Sequence, residues 1–169
     1  SPTSSALTTR LLVGILVIVL SVFGASLRAM GPANEVFPDG WLTNSIVGEG
    51  SAEAARASVQ NYFDAVNNKD YDKAFTYIIS QASTNPTEKQ KWLASMKQAP
   101  KVDVVSLGVT RVSRTGDLKR IVFDANLQTT KVGAGVVEST PMKRYISVIE
   151  ENGAWRIEGF YKTMPDDDK

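Results

Sequence analysis

The chain of 169 residues contains neither cysteine nor histidine. Without cysteine there are no disulfides, no iron–sulfur clusters, no thiolate nucleophile and no zinc site built on sulfur. Without histidine there is no imidazole base, so the familiar triads and most transition-metal sites are excluded as well. No cofactor and no metal is expected. Charge of one sign is also lacking: 19 basic residues face 18 acidic ones, for a formal net charge of +1. A nucleic-acid partner needs clustered Lys and Arg to neutralise phosphates, and here the two signs are interspersed, so no nucleic acid is expected.

The charge that is present is unevenly spread. Residues 1–50 hold only Arg10, Arg28, Glu35, Asp39 and Glu49, and the remaining 17 basic and 15 acidic residues follow. Between Arg10 and Arg28 stand 17 uncharged residues, LLVGILVIVLSVFGASL, of which 13 are aliphatic, aromatic or alanine. As a helix this run covers about 26 Å, the short end of a bilayer core. Snorkelling of the two arginines and extension through Ala29 and Met30 complete a span. The expectation is a retained single-pass helix over 10–30 in contact with the lipid bilayer, after a short tail over 1–9. A signal peptide, for which Gly24-Ala25-Ser26 supplies small residues, and a buried core helix are the alternatives. Each flank has one arginine, so the positive-inside rule gives little direction. The reading adopted puts the bulk of the chain on the extracytoplasmic side.

Residues 31–50, GPANEVFPDGWLTNSIVGEG, have the turn residues of a linker but also Val36, Phe37, Trp41, Leu42, Ile46 and Val47. That is more apolar weight than a free linker tolerates. Two readings stay open: the segment covers its own domain or the lipid interface, or these six residues dock on a neighbouring subunit.

Helical periodicity starts at Ser51, a good N-cap, with Glu53 in the first turn. Ala55, Val59, Tyr62, Phe63 and Val66 then share one face. Asn67-Asn68-Lys69 ends that helix, and Asp70 caps a shorter one carrying Tyr71, Ala74, Phe75, Ile78 and Ile79. A polar loop, SQASTN, follows. Asn85-Pro86 supplies a cap and an N1 proline for a third helix with Trp92, Leu93 and Met96. From Pro100 the period becomes two. A strand over 102–112 slips phase near Val104, which predicts a bulge. Thr115-Gly116-Asp117 turns into a strand whose Ile121, Phe123, Ala125 and Leu127 face one way and Asp124, Asn126 and Gln128 the other. A glycine-containing loop at 131–135 leads to a third strand within 136–150. Asn152-Gly153 is a strong hairpin signal before the last strand, Ala154 to Tyr161. Three helices followed by a four-stranded antiparallel meander define an α+β domain over 51–161, with an acidic tail over 162–169.

The stretch AARASVQNYFDAVNNKDYDKAFTYI, the following tryptophan-containing helix and the ending RYISVIEENGAWRIEGF resemble the nuclear-transport-factor-2-like (cystatin-like cone) superfamily, in particular membrane-anchored or secreted bacterial members. The resemblance implies a cone of helices on a curved sheet. In the superfamily's enzymes a buried Asp or Glu in the cone acts as general base, helped by Tyr or Arg. The matching residue types here are Asp103, Asp124, Glu138 and Glu150, with Arg144 and Tyr145 as helpers, and none of the four carboxylates falls on a confidently interior phase. Lys119-Arg120 and Lys143-Arg144 read as solvated strand residues. The function expected is therefore a non-catalytic, membrane-anchored accessory subunit that docks on other subunits of a membrane protein complex. The alternatives are a tethered binder of a small apolar ligand and a pocket isomerase or hydrolase.

Overall fold

In a computed structural model of the chain, residues 41–166 are described, and they belong to one compact unit, Phe37–Lys169. The expected membrane span over 10–30, the tail over 1–9, Val36 and Phe37 lie outside the described residues, as do residues 167–169. Among the described residues no helix is long and apolar enough to cross a membrane.

The order of elements is α1 (Trp41–Val47), α2 (Ser51–Asn67), α3 (Tyr71–Phe75), α4 (Ser80–Thr84), α5 (Pro86–Gln98), β1 (Lys101–Thr115), β2 (Leu118–Gly133), β3 (Val136–Glu151) and β4 (Ala154–Tyr161). The four strands form one antiparallel sheet in the order β1-β2-β3-β4. The α+β meander expected from the sequence is the observed architecture.

The helices start and stop where side chains can satisfy the free backbone groups. Asp70 accepts from the Lys73 amide, and Asn85 accepts from the Thr87 and Glu88 amides with Pro86 behind it. Lys69, in the left-handed region at φ 60°, ends α2. Ser51 is not the cap it was expected to be. Gly50 takes that position at φ 79°, and the Ser51 hydroxyl donates to the Val47 carbonyl, tying α2 to α1.

Several segments differ from the sequence reading. α3 stops at Phe75, so Ile78 and Ile79, expected on that helix, lie beyond it and Ile78 bridges to Ile157, while β2 runs on to Gly133 where a loop was expected. The polar loop SQASTN is the helix α4, because Glu151 at the end of β3 accepts from both the backbone amide and the hydroxyl of Ser80. Trp41–Val47, assigned above to a linker, is a helix of the domain itself: Thr43 and Val47 are fully buried and Ile46 packs against the core. Val47 therefore has no surface left for a neighbouring subunit, and the domain starts before Ser51.

The sheet has two differently covered faces. Towards the helices point Val102, Leu107, Val109 and Val112 of β1, Ile121, Phe123, Ala125 and Leu127 of β2, Ile146 and Val148 of β3, and Trp155 and Ile157 of β4, all buried. β1 keeps this phase only by bulging at Val104/Ser106, as the sequence implied, and again at Val109/Arg111. Asn67 at the end of α2 clips the start of β1, donating to the Val102 carbonyl at 2.7 Å and accepting from its amide at 3.0 Å. Along β4, Tyr77–Ile79 bind the outer side through a two-way exchange with Ile157, at 2.7 and 3.0 Å. On the opposite face Val122 and Ser147 are also buried, because the chain after Tyr161 crosses back over the sheet and Arg111 donates to the Pro165 carbonyl.

Candidate functional site

Two places in the domain have the ingredients of a site: the space between helices and sheet, and the outer face under the C-terminal segment. The first is filled. Tyr62 and Phe63 of α2, Trp92 of α5 and Phe160 of β4 form one aromatic cluster, with ring centroids 5.2 to 6.2 Å apart and edge-to-face or tilted. The helical spacing of 62, 63 and 66 puts the first two rings on the core face, and β4 brings Phe160 against them. Burial pushes the Tyr62 phenol well above its ordinary pKa, so it stays protonated and neutral. Two cations lie near this interior among the described residues: Arg56, whose Nε donates to the Leu107 carbonyl at 2.9 Å and whose guanidinium lies 5.5 Å from the Phe123 ring centre, and Lys89, whose Nζ lies 5.1 Å from the Phe75 ring centre.

None of the carboxylates considered from the sequence faces this interior. Asp103 is exposed and 3.6 Å from Lys101. Asp124 points to the outer face, 3.1 Å from Lys143, as its phase against Ile121, Phe123 and Ala125 predicted. Glu150 meets Lys119 at 3.5 Å beside the hairpin ends. Glu138 stands exposed near the tip of the β2–β3 hairpin, where it borders a shallow depression with Lys131, Val132, Gly133 and Val136. Arg144 donates to the Lys143 carbonyl and Tyr145 is half-buried on the outer face, so the structure does not gather these six residues into one site. Among the described residues there is no cluster of three or more acidic side chains able to hold a metal ion.

The outer face holds a grouping that the sequence reading missed. Glu158 of β4 receives two donors from Arg120 of β2, Nε at 2.5 Å and Nη2 at 3.2 Å, and a third from the Ser147 hydroxyl on β3 between them. Arg111 of β1 is 6% exposed beside them and is held at 2.6 Å by the Pro165 carbonyl. Together with Tyr161, Thr163, Met164 and Asp166 these residues enclose a cavity of about 260 Å³. A Cβ on Gly159 would come within 2.6 Å of the Tyr161 hydroxyl, so any side chain there would have to displace the Tyr161 ring. Burial, followed by the neighbouring Glu158, raises the Tyr161 pKa, and Arg120 opposes the shift. Both oxygens of Glu158 are spent on Arg120 and Ser147, so the grouping works as a strut across three strands.

One signal for it was readable. Val122 is an apolar residue on the polar phase of β2, and a strand with apolar residues on both phases is covered on both faces. Which charges would meet there depends on the β2–β3–β4 register and on a bulge between Ser147 and Val148, neither of which the sequence specifies.

No protein-family model matches the chain, and no curated protein sequence matches it. Solved structures give distant likenesses. A protein of the NTF2-like family from Streptomyces avermitilis, described as a candidate dehydratase, aligns at 10% identity and a TM-score of 0.47 over 65% of this chain and 93% of its own. A candidate polyketide cyclase from Xanthomonas campestris pv. campestris aligns at 12% identity and a TM-score of 0.39 over 66% of this chain and 91% of its own. Those activities belong to those proteins.

Proposed function

We propose that the chain is a non-catalytic accessory subunit, held at a membrane by residues 10–30, whose nuclear-transport-factor-2-like domain docks on and organises a larger membrane protein complex. The observation that carries this reading is the aromatic filling of the helix–sheet interior. Tyr62, Phe63, Trp92 and Phe160 occupy the space that a carrier of apolar ligands or a pocket enzyme would need to leave open. The surface placement of Asp103, Asp124, Glu138 and Glu150 supports it further, because a general base is usually raised towards neutral pKa by burial. The uncharged run between Arg10 and Arg28 is the basis for the anchor. The docking residues of this reading are Val36, Phe37, Trp41, Leu42 and Ile46, since Val47 is withdrawn into the core.

Detergent extraction from native membranes, native electrophoresis and identification of the co-migrating chains test the proposal. A defined larger species that loses this chain on Val36→Asp with Phe37→Asp is the expected outcome. A chain that extracts without any other protein overturns the subunit reading.

A further inference from the structure

We infer that the β2–β3 arm is a homodimer contact, in which two copies join the open edges of β3 antiparallel around Thr140 to make one continuous eight-stranded sheet. β4 pairs with β3 only from Tyr145 to Glu151, so, among the described residues, 136–144 have no strand beside them on that side. Beyond the Lys101↔Thr130 pair even β1 is absent, and the arm is a two-stranded ribbon with Val132, Val136 and Val137 exposed by 75%, 62% and 66%. A ribbon of two strands with apolar residues on both faces is marginal by itself and offers a ready template for a further strand.

The hairpin turn fixes which groups that edge presents. Ala134 and Gly135 both have positive φ, and Gly133↔Val136 closes the two-residue turn, which makes this pair the hydrogen-bonded one. Pairing then runs without a register shift, so Val137, Ser139, Pro141 and Lys143 turn their backbone groups to the open side. Two observations agree with this assignment. The missing N–H of Pro141 falls on the open side, where an edge strand tolerates it, and the Lys143 carbonyl accepts from the Arg144 side chain rather than from a strand.

What selects a second copy is the charge order along the edge, Val136-Val137-Glu138 at one end and Met142-Lys143-Arg144 at the other. Antiparallel pairing with itself sets the acidic end against the basic end twice. To keep the same sheet face on both copies, the numbers of opposed residues must sum to an even value. Centring on Pro141 would put two residues without donors in a hydrogen-bonded pair. Centring on Thr140 avoids that: Val137 meets Lys143 with both bonds intact, Ser139 meets Pro141 with one, and Glu138 lies diagonal to Arg144 on the helix-side face. A diagonal neighbour is about 7–8 Å away, within reach of these long side chains. Arg144 then exchanges the Lys143 carbonyl for the partner's carboxylate. Pro141 acts as the register-setting residue. The inference is independent of the anchor and of the accessory role.

The absence of native cysteine makes the test direct. The full chain, extracted in detergent, is studied as Thr140→Cys and as Val132→Cys under mild oxidation, with sedimentation equilibrium of the cysteine-free chain. The two Thr140 positions form a non-hydrogen-bonded pair about 4.5 Å apart at Cα, close enough to bridge, whereas Val132 lies one strand away from the contact. The expected result is a dimer, cross-linked through Thr140→Cys and not through Val132→Cys. Glu138→Lys should weaken association about tenfold or more, and Glu138→Lys with Arg144→Glu should restore it. A chain that remains monomeric at about 100 μM, far above the range of specific homodimers, overturns the inference. So does a dimer that cross-links at Val132→Cys but not at Thr140→Cys, or one indifferent to charge reversal. A homodimer that extracts with no other protein would sink the accessory role and leave this contact standing.

Discussion

Strands β2 and β3 pair in one unbroken register from Arg120↔Ile149 to Gly133↔Val136, yet their two halves have different surroundings. In the first half Ile121, Phe123, Ala125, Leu127, Ile146 and Val148 are at most 2% exposed, and Val122 and Ser147 are buried on the other face. In the second half no residue from 128 to 144 is buried. Strand propensity does not separate them, since the first half is built on Ile, Val and Phe and the second on Val and Thr, all good strand formers. Cover does: α2 ends at Asn67, which is clipped to Val102, and β1 begins at Lys101, so beyond that line the ribbon has neither helices on its face nor a third strand at its side. The ladder hydrogen bonds are the same in both halves. The difference predicts that burial, and not pairing, decides which part of a strand carries stability.

Four measurements can break or sharpen that contrast. Phe123→Ala empties a fully buried position in the covered half and should cost about 3–5 kcal/mol in urea unfolding of the solubilised chain. Asn67→Ala removes both bonds to Val102 at the border between the halves. A loss of about 1–3 kcal/mol is expected, with faster amide exchange at Val102. If only the exchange changes, the border is held by packing alone. Tyr62→Phe tests the covered interior through pH. Burial raises the Tyr62 pKa above its ordinary value of 10, so the unfolded chain loses this proton first. Stability from this group is therefore complete below that value and declines as pH rises through it; denaturation near pH 9 and about pH 11 should show a shallower decline in Tyr62→Phe. The smallest effect belongs to the arm. Val136→Ser should change the stability of the dilute, monomeric chain by no more than about 0.5 kcal/mol. A loss above about 1 kcal/mol would mean that the arm is as well supported as the rest.

Much of this architecture was legible in the residues. The positions of α2, α3 and α5, the caps at Asp70 and Asn85, the bulge after Val104, the Asn152-Gly153 turn and the inward row of β2 all follow from local rules that act within a few residues. What was not legible depends on partners far away in sequence. Ser80–Thr84 is a helix because Glu151, 71 residues on, satisfies its first amide. Trp41–Val47 reads as sticky linker until the surfaces of α2 and β1 exist to receive Val47. The outer strut needs Arg120, Ser147 and Glu158 in register across three strands. The arm looked like a strand followed by a loop at 131–135, since nothing in Lys131-Val132-Gly133 says that the ladder continues to Gly133. For the candidate site the same limit applied: phase gave the outward direction of Asp124, but only packing shows that rings fill the interior.

The exchange between Tyr77–Ile79 and Ile157 bears on growth as well as on packing. It caps the middle of the free side of β4 at Ile157, and the two bulges in β1 spoil the straight run of donors and acceptors on the opposite border of the sheet. Among the described residues, the open stretch of β3 over 136–144 is the longest unobstructed template on this sheet. An object with two such sides polymerises; an object with one can be extended only once, so strand addition between copies of this chain ends in a closed pair and not in a fibril.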